Sequence, residues 1–236
     1  DVAVATSTGV ALRSRSGQDR ATMLRHADIA MYEAKRSSES FRVFDASLEQ
    51  TSTLRLTLTA SLREAIDSGQ LCVFFQPKYD MSTRRLVGAE GLARWRHSEF
   101  GLLTPAAFLD VALMSESAVP FAISTIRHVA GMIRQLDELG APMPIAANIA
   151  MRALRDPGFA PAVLRVLDEV GVSPELLVLE LTESDPLWPN THTAAGLQSL
   201  IEAGVQLSID DFGTGHSSLE RLRVLRIHEL KIDRSF

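Results

Sequence analysis

A chain of 236 residues, 46% hydrophobic and 22% charged, has the make-up of a globular protein with material for a sizeable core, enough for one large barrel or two ordinary domains. A net charge of −5 argues against a nonspecific binder of DNA or RNA polymer, which needs a basic patch to displace counterions from phosphates. A small anionic ligand stays open, because bound divalent cations reverse the sign of a carboxylate-lined cleft.

The opening segment DVAVATSTGVAL alternates apolar and small residues as a strand does. A polar turn follows, then a helix predicted over 21–35 whose apolar positions Met23, Leu24, Ala27, Ala30, Met31 and Ala34 recur at three- and four-residue steps. A short strand at 41–44 closes this unit, which is too small to stand alone. The run LRHADIAMYEAKR resembles the end of a GGDEF (diguanylate cyclase) domain. That resemblance implies that residues 1–45 are the C-terminal remnant of such a domain, without its signature loop, so no cyclase activity is expected here. Lys35 is read as a solvated helix-end lysine. Both ends of the chain are expected to be cuts in a longer protein.

Residues 46–68 form a predicted connecting helix with Leu54, Leu58, Leu62 and Ile66 along one stripe. After Gly69 the pattern alternates: strands at 71–78, 86–93, 144–148, 176–181, 205–209 and 228–231, helices near 105–116, 118–139, 159–170 and 191–203. The last three helices end at or near Gly140, Gly171 and Gly204, where a left-handed cap is easiest. Such alternation predicts a parallel sheet covered by helices, and motifs at successive strand ends favour a (β/α) barrel of the TIM type over an open sheet. The single cysteine, Cys72, lies in the apolar run LCVFFQP and is expected to be a buried thiol, which suits a cytoplasmic setting. No apolar run approaches the roughly 20 residues of a membrane span, so no membrane contact is expected within the chain.

The chemistry-bearing residues are read at or just beyond strand ends: Glu90, Asn148, Glu180 with Glu183 after it, Asp210, Asp211 and Lys231. A barrel gathers such ends on one face. Carboxylates crowded there repel one another unless cations sit among them, and hard oxygen ligands suit Mg²⁺ or Mn²⁺. Neighbouring Asp210 and Asp211 reach one site only where the strand ends and turns, which Phe212-Gly213-Thr214-Gly215 provides. Two cations roughly 4 Å apart clamp a phosphodiester and activate a water.

The ordered run QPKYD, GAEGLARW, AANIA, LELTES, IDDFGTGHSSL, LKIDRSF resembles the EAL family of cyclic di-GMP phosphodiesterases, over roughly residues 54–236. The resemblance implies an EAL domain at 69–236, hydrolysis of cyclic di-GMP to linear pGpG, two Mg²⁺ or Mn²⁺ per site and a homodimer in the intact protein. It implies that Glu90, Asn148, Glu180 and Asp210 hold the first cation, and that Asp211 serves the second and the attacking water. Lys231 would orient or deprotonate that water, and Glu183 would steady the loop that couples metal binding to dimerisation. Substrate contacts would fall on Gln76, Leu92 and Arg94, the last offering a guanidinium fork to phosphate. A catalytically inactive cyclic di-GMP receptor or a regulatory scaffold is the alternative. Retention of every visible metal ligand and of Lys231 speaks against it.

His97, His128, His192, His216 and His228 lack metal-ligand spacing and are read as structural or exposed; Trp95 and Phe100 are read as packing. The Asp-Phe-Gly triplet resembles a kinase motif by accident, since no glycine-rich phosphate loop accompanies it. Two positions depart from the family pattern. Gly91 stands where it usually has alanine, expected to cost about 1 kcal/mol or less through backbone entropy. Leu113 stands where it usually has glutamate. The chain stops after the sixth strand of an expected eight, so the barrel is expected to be incomplete, and the 236-residue piece alone inactive and prone to aggregate.

Overall fold

The computed structural model describes residues 6–13, 19–37, 39–114, 116–182, 191–213 and 227–233. The chain forms two compact units, Asp1–Ala60 and Ser61–Phe236.

In the first unit β1 (Thr8–Val10) and β2 (Phe41–Val43) pair in parallel, and α1 (Arg20–Arg36) makes the crossover between them. The Asp19 carboxylate caps α1 by accepting from the Thr22 backbone N–H at 2.7 Å. α2 (Ala46–Asp67) carries the chain onward, and its Arg55 donates to Glu33 of α1 at 2.7 Å. Lys35 is exposed.

The second unit is built on one sheet. β3 (Leu71–Tyr79) and β4 (Leu86–His97) form a hairpin, and β5 (Gly101–Leu103) folds back on the end of β4. From β4 the order runs in parallel through β6 (Ile145–Asn148), β7 (Leu177–Thr182), β8 (Gln206–Phe212) and β9 (Glu229–Ile232). The first strand therefore departs from the all-parallel expectation. The connection at 80–85 is far shorter than the dozen or more residues a parallel crossover needs. Asp80 closes it, its carboxylate accepting from the Ser82 hydroxyl, the Thr83 backbone N–H and hydroxyl, and the Ser82 backbone N–H, which together hold its pKa down at about 2. Helices α3 (Pro105–Met114), α4 (Ala118–Glu138), α5 (Phe159–Val170) and α6 (Thr191–Glu202) fill the connections. At the end of α5, Gly171 adopts φ 75° and its N–H donates to the carbonyls of Leu167 and Asp168, the left-handed cap expected there.

The sheet has two unlike faces, as period-two alternation requires. Ile145, Ala147, Leu177, Leu179, Leu207 and Ile209 point into a core with Ile126, Val129 and Ile133 of α4 and Phe159, Val163 and Leu167 of α5. Glu90, Asn148, Glu180, Ser208, Asp210 and Lys231 occupy alternate positions and share the opposite face. Trp95 is fully buried, donating to Gln70 Oε1 at 3.1 Å and meeting Phe108 edge-on; Phe100 is exposed and packs on the buried ring of His97.

Two expectations need correcting. Cys72 is only half-buried, because it lies opposite Arg94 and so on the polar face, while its neighbours Leu71 and Val73 turn toward the apolar side. Gly91 is more than an alanine with a methyl missing. A Cβ built there would stand 2.8 Å from Val129 Cγ2, 3.0 Å from the Ala146 carbonyl and 3.1 Å from Val73 Cγ1. The space of the absent methyl is already filled by α4, β6 and β3.

Candidate active site

Four parallel strands and the hairpin bring their polar alternates to one place. Asn148 and Glu180 are neighbours in register across β6 and β7, and Glu180 is in turn the neighbour of Ser208 on β8. One oxygen each from Glu90, Glu180 and Asp210 lies within 4.8 Å of the others, close enough for a single cation to touch all three. Asn148 Nδ2 donates to Glu90 Oε1 at 2.9 Å, which pins both side chains. Glu90 does not end its strand, contrary to expectation. It lies mid-way along β4, because pairing with β3 and β5 extends that strand well past the end of β6.

Lys231 stands in front of this cluster. Its Nζ donates to Glu90 Oε2 at 3.2 Å and Glu180 Oε2 at 3.1 Å, and Asp210 Oδ2 lies 3.2 Å away. Burial disfavours its charge, but Glu180, Glu90 and Asp210 together outweigh that and raise the amine above its ordinary value. The Glu180 side chain has no exposed surface. Burial first, and then the nearby Glu90 charge, lift its carboxyl above the ordinary value, with Lys231 and Lys78 pulling the other way.

Asp211 sits at a bulge within β8. Its φ of 55° is left-handed, and the β8–β9 register breaks between Ile209 and Phe212. Asp tolerates that conformation better than most residues, at some cost in strain. Pairing resumes at Phe212 with Ile232, so Asp211 is redirected by a bulge inside β8 and not, as expected, by the strand ending and turning after Asp210. Asp211 is exposed and outside the triad; partial desolvation, then Asp210 and Asp233, push its carboxyl up.

The remaining sequence-predicted residues spread along the hairpin. Gln76 is exposed directly opposite Glu90. Leu92 and Arg94 follow Glu90 on the same face at two-residue steps, so they share its face without joining the cluster. The Arg94 guanidinium lies 5.4 Å over the Phe74 ring and donates to the Ala93 carbonyl at 2.8 Å. Glu183, His192 as a side chain, and His216 lie outside the described residues. Leu113 is half-buried in α3. His97 Nδ1 accepts from the N–H groups of Glu99 and Phe100, and His228 Nδ1 from Leu207, both structural roles.

Three residues of this face were missed in sequence. Lys78 Nζ donates to Glu180 Oε1 at 3.1 Å and to Glu229 Oε2 at 2.9 Å. Ser208 is fully buried and its hydroxyl has no partner among the described residues. Alternation from Gln76 and from Lys231 already places Lys78 and Glu229 on the right face; nothing local shows that they meet.

The sequence matches the EAL domain family over residues 59–236. It is 34% identical over 238 residues to the bifunctional diguanylate cyclase/cyclic di-GMP phosphodiesterase MucR of Pseudomonas aeruginosa, covering 100% of this chain and 35% of that protein. It is 33% identical over 237 residues to the cyclic di-GMP phosphodiesterase PdeR of Escherichia coli, covering 100% of this chain and 36% of that protein. The chain thus spans about a third of the length of these relatives. The fold superposes on the PaMucR phosphodiesterase solved in complex with c-di-GMP with a TM-score of 0.69 at 35% identity, covering 76% of this chain and 73% of that one. The largely parallel sheet, its face of converging carboxylates and these likenesses agree, and the chain belongs to the EAL domain family.

Proposed function

We propose that the protein carrying this chain hydrolyses cyclic di-GMP to linear pGpG, with two divalent cations, Mg²⁺ or Mn²⁺, at the face just described. The observation that carries this reading is the convergence of Glu90, Glu180 and Asp210 from three strands, with Asn148 bonded to the first. The donor set fits such a cation: it is all oxygen, hard, and held by strands on either side. The buried Ser208 hydroxyl on the same face beside Glu180, without a partner among the described residues, adds a further polar atom there. The cations would supply neutralisation of the phosphodiester and a more acidic water.

The chain's own residues do the rest. Glu90, Asn148, Glu180 and Asp210 would hold the first cation, and Asp211, whose backbone is left-handed, would serve the second. Lys231, whose amine already touches three carboxylates, orients the attacking water. The water's oxygen bonds to phosphorus, the bond from phosphorus to the ribose 3′ oxygen breaks, and that oxygen takes up a proton. Gln76, Leu92 and Arg94 line the approach, with Arg94 offered to a phosphate. Glu183 is assigned the loop that couples metal binding to dimerisation. Residues 1–45 as the end of a GGDEF domain, the homodimer and the cytoplasmic setting are parts of the same proposal; alignment of all of this chain to 35% of a relative named for both activities supports the first.

The test is chromatography of cyclic di-GMP incubated with the protein, with Mn²⁺ and with a chelator, for wild type and Glu90→Ala. Metal-dependent pGpG that disappears in the variant is expected. Tight binding of cyclic di-GMP with no cleavage would overturn the enzyme in favour of a receptor.

A further inference from the structure

We infer that Lys78 is a positioning residue for the cation site, holding Glu180 from behind so that its other oxygen faces Glu90 and Asp210. This rests on the metal reading above. The two oxygens of Glu180 are divided between two lysines. Oε2 accepts from Lys231, whose Nζ also bonds Glu90 Oε2 and lies 3.2 Å from Asp210 Oδ2, so this oxygen shares one ammonium with the other two carboxylates. Oε1 accepts from Lys78 at 3.1 Å. Glu180 has no exposed side-chain surface, so bulk water does not reach that oxygen.

Lys78 is itself tied down. Its Nζ donates to Glu229 Oε2 at 2.9 Å, so one ammonium group links β3, β7 and β9. A lysine has four rotatable bonds, and this second partner selects the conformation that reaches Glu180. A cation at the triad would compete with Lys231 for the oxygens it touches, whereas Lys78, on the other oxygen of Glu180, would keep its bond. The rear hydrogen bond then fixes the plane of the carboxylate, as outer partners of metal-ligating carboxylates do.

The rival account makes Lys78 a plain counter-ion, and the two differ in sign. Removing a counter-ion leaves the cluster more negative and tightens cation binding. Removing a positioning donor lets Glu180 turn and weakens it. Mn²⁺ titration calorimetry on the full chain decides, with thermal melts to verify folding. Lys78→Met is expected to weaken Mn²⁺ binding about tenfold or more. Lys78→Arg, which keeps charged donors, should recover much of the loss. Lys78→Gln keeps an N–H donor without the charge and should fall between wild type and Lys78→Met. Wild-type or tighter affinity in either folded neutral variant overturns the role, and Lys78→Gln decides alone if Lys78→Met fails to fold. A wild-type chain that takes up no Mn²⁺ defeats the metal reading itself, and this role with it.

Discussion

Among the described residues Lys78 and Glu229 stand on the first and last strands of the path β3-β4-β6-β7-β8-β9, yet Lys78 Nζ lies 2.9 Å from Glu229 Oε2. Five interstrand steps of about 4.8 Å would put the edges of a flat sheet about 24 Å apart, beyond the joint reach of the two side chains. The sheet must therefore curl around its polar face as a barrel wall does. That curl presses four carboxylates and two ammonium groups into one space, and the predictions below follow from it.

Lys231 faces three carboxylates at 3.1–3.2 Å from the side a cation would occupy. Lys231→Met should tighten Mn²⁺ binding severalfold, since it leaves the triad without its internal cation. The same variant should lower turnover about a hundredfold or more, because the attacking water loses its partner. Calorimetry and a pGpG assay read the two effects separately; weaker Mn²⁺ binding would contradict the first.

Glu180→Gln should raise the melting temperature of the cation-free chain by a few degrees near neutral pH while abolishing Mn²⁺ binding. The folded-state pKa of Glu180 lies above its ordinary value of 4.5, so its ionised form is disfavoured by folding. That penalty is absent below 4.5, where the group is neutral in both states, and complete above its folded-state pKa. The gain from the substitution should therefore shrink as pH falls toward 4.5. A gain that grows on acidification would reverse the sign.

Gly91→Ala restores the residue usual in the family yet should destabilise this chain by about 1–3 kcal/mol. The new methyl meets a Val129 side chain that is stiff at χ1 and a backbone carbonyl that cannot move alone. Pairing it with Val129→Ala should return part of the loss. Denaturant titration of the single and double variants checks this, and a Gly91→Ala chain more stable than wild type would refute it.

Arg94 lies beyond the carboxylate cluster on the same face and already stacks on Phe74. Arg94→Ala should raise KM for cyclic di-GMP about tenfold or more by removing a charged donor to phosphate, with Mn²⁺ affinity unchanged. An unchanged KM would remove Arg94 from the substrate path.

Much of this was legible in the chain alone, because period-two alternation and helical periodicity are local. Glu90, Asn148, Glu180, Asp210 and Lys231 were found at strand positions whose side chains do share a face, and the helices lie within a few residues of expectation. The hairpin at 80–85 was also readable, from a connection too short to cross over. Other features depend on residues far apart in sequence. Lys78 meets Glu180 across 102 positions and Glu229 across 151, and only the curl of the whole sheet sets those distances. The tight surroundings of Gly91 are equally nonlocal, made by a helix and two strands that no pattern around residue 91 describes. Alternation told which way each side chain points, and sheet curvature decided which of them touch.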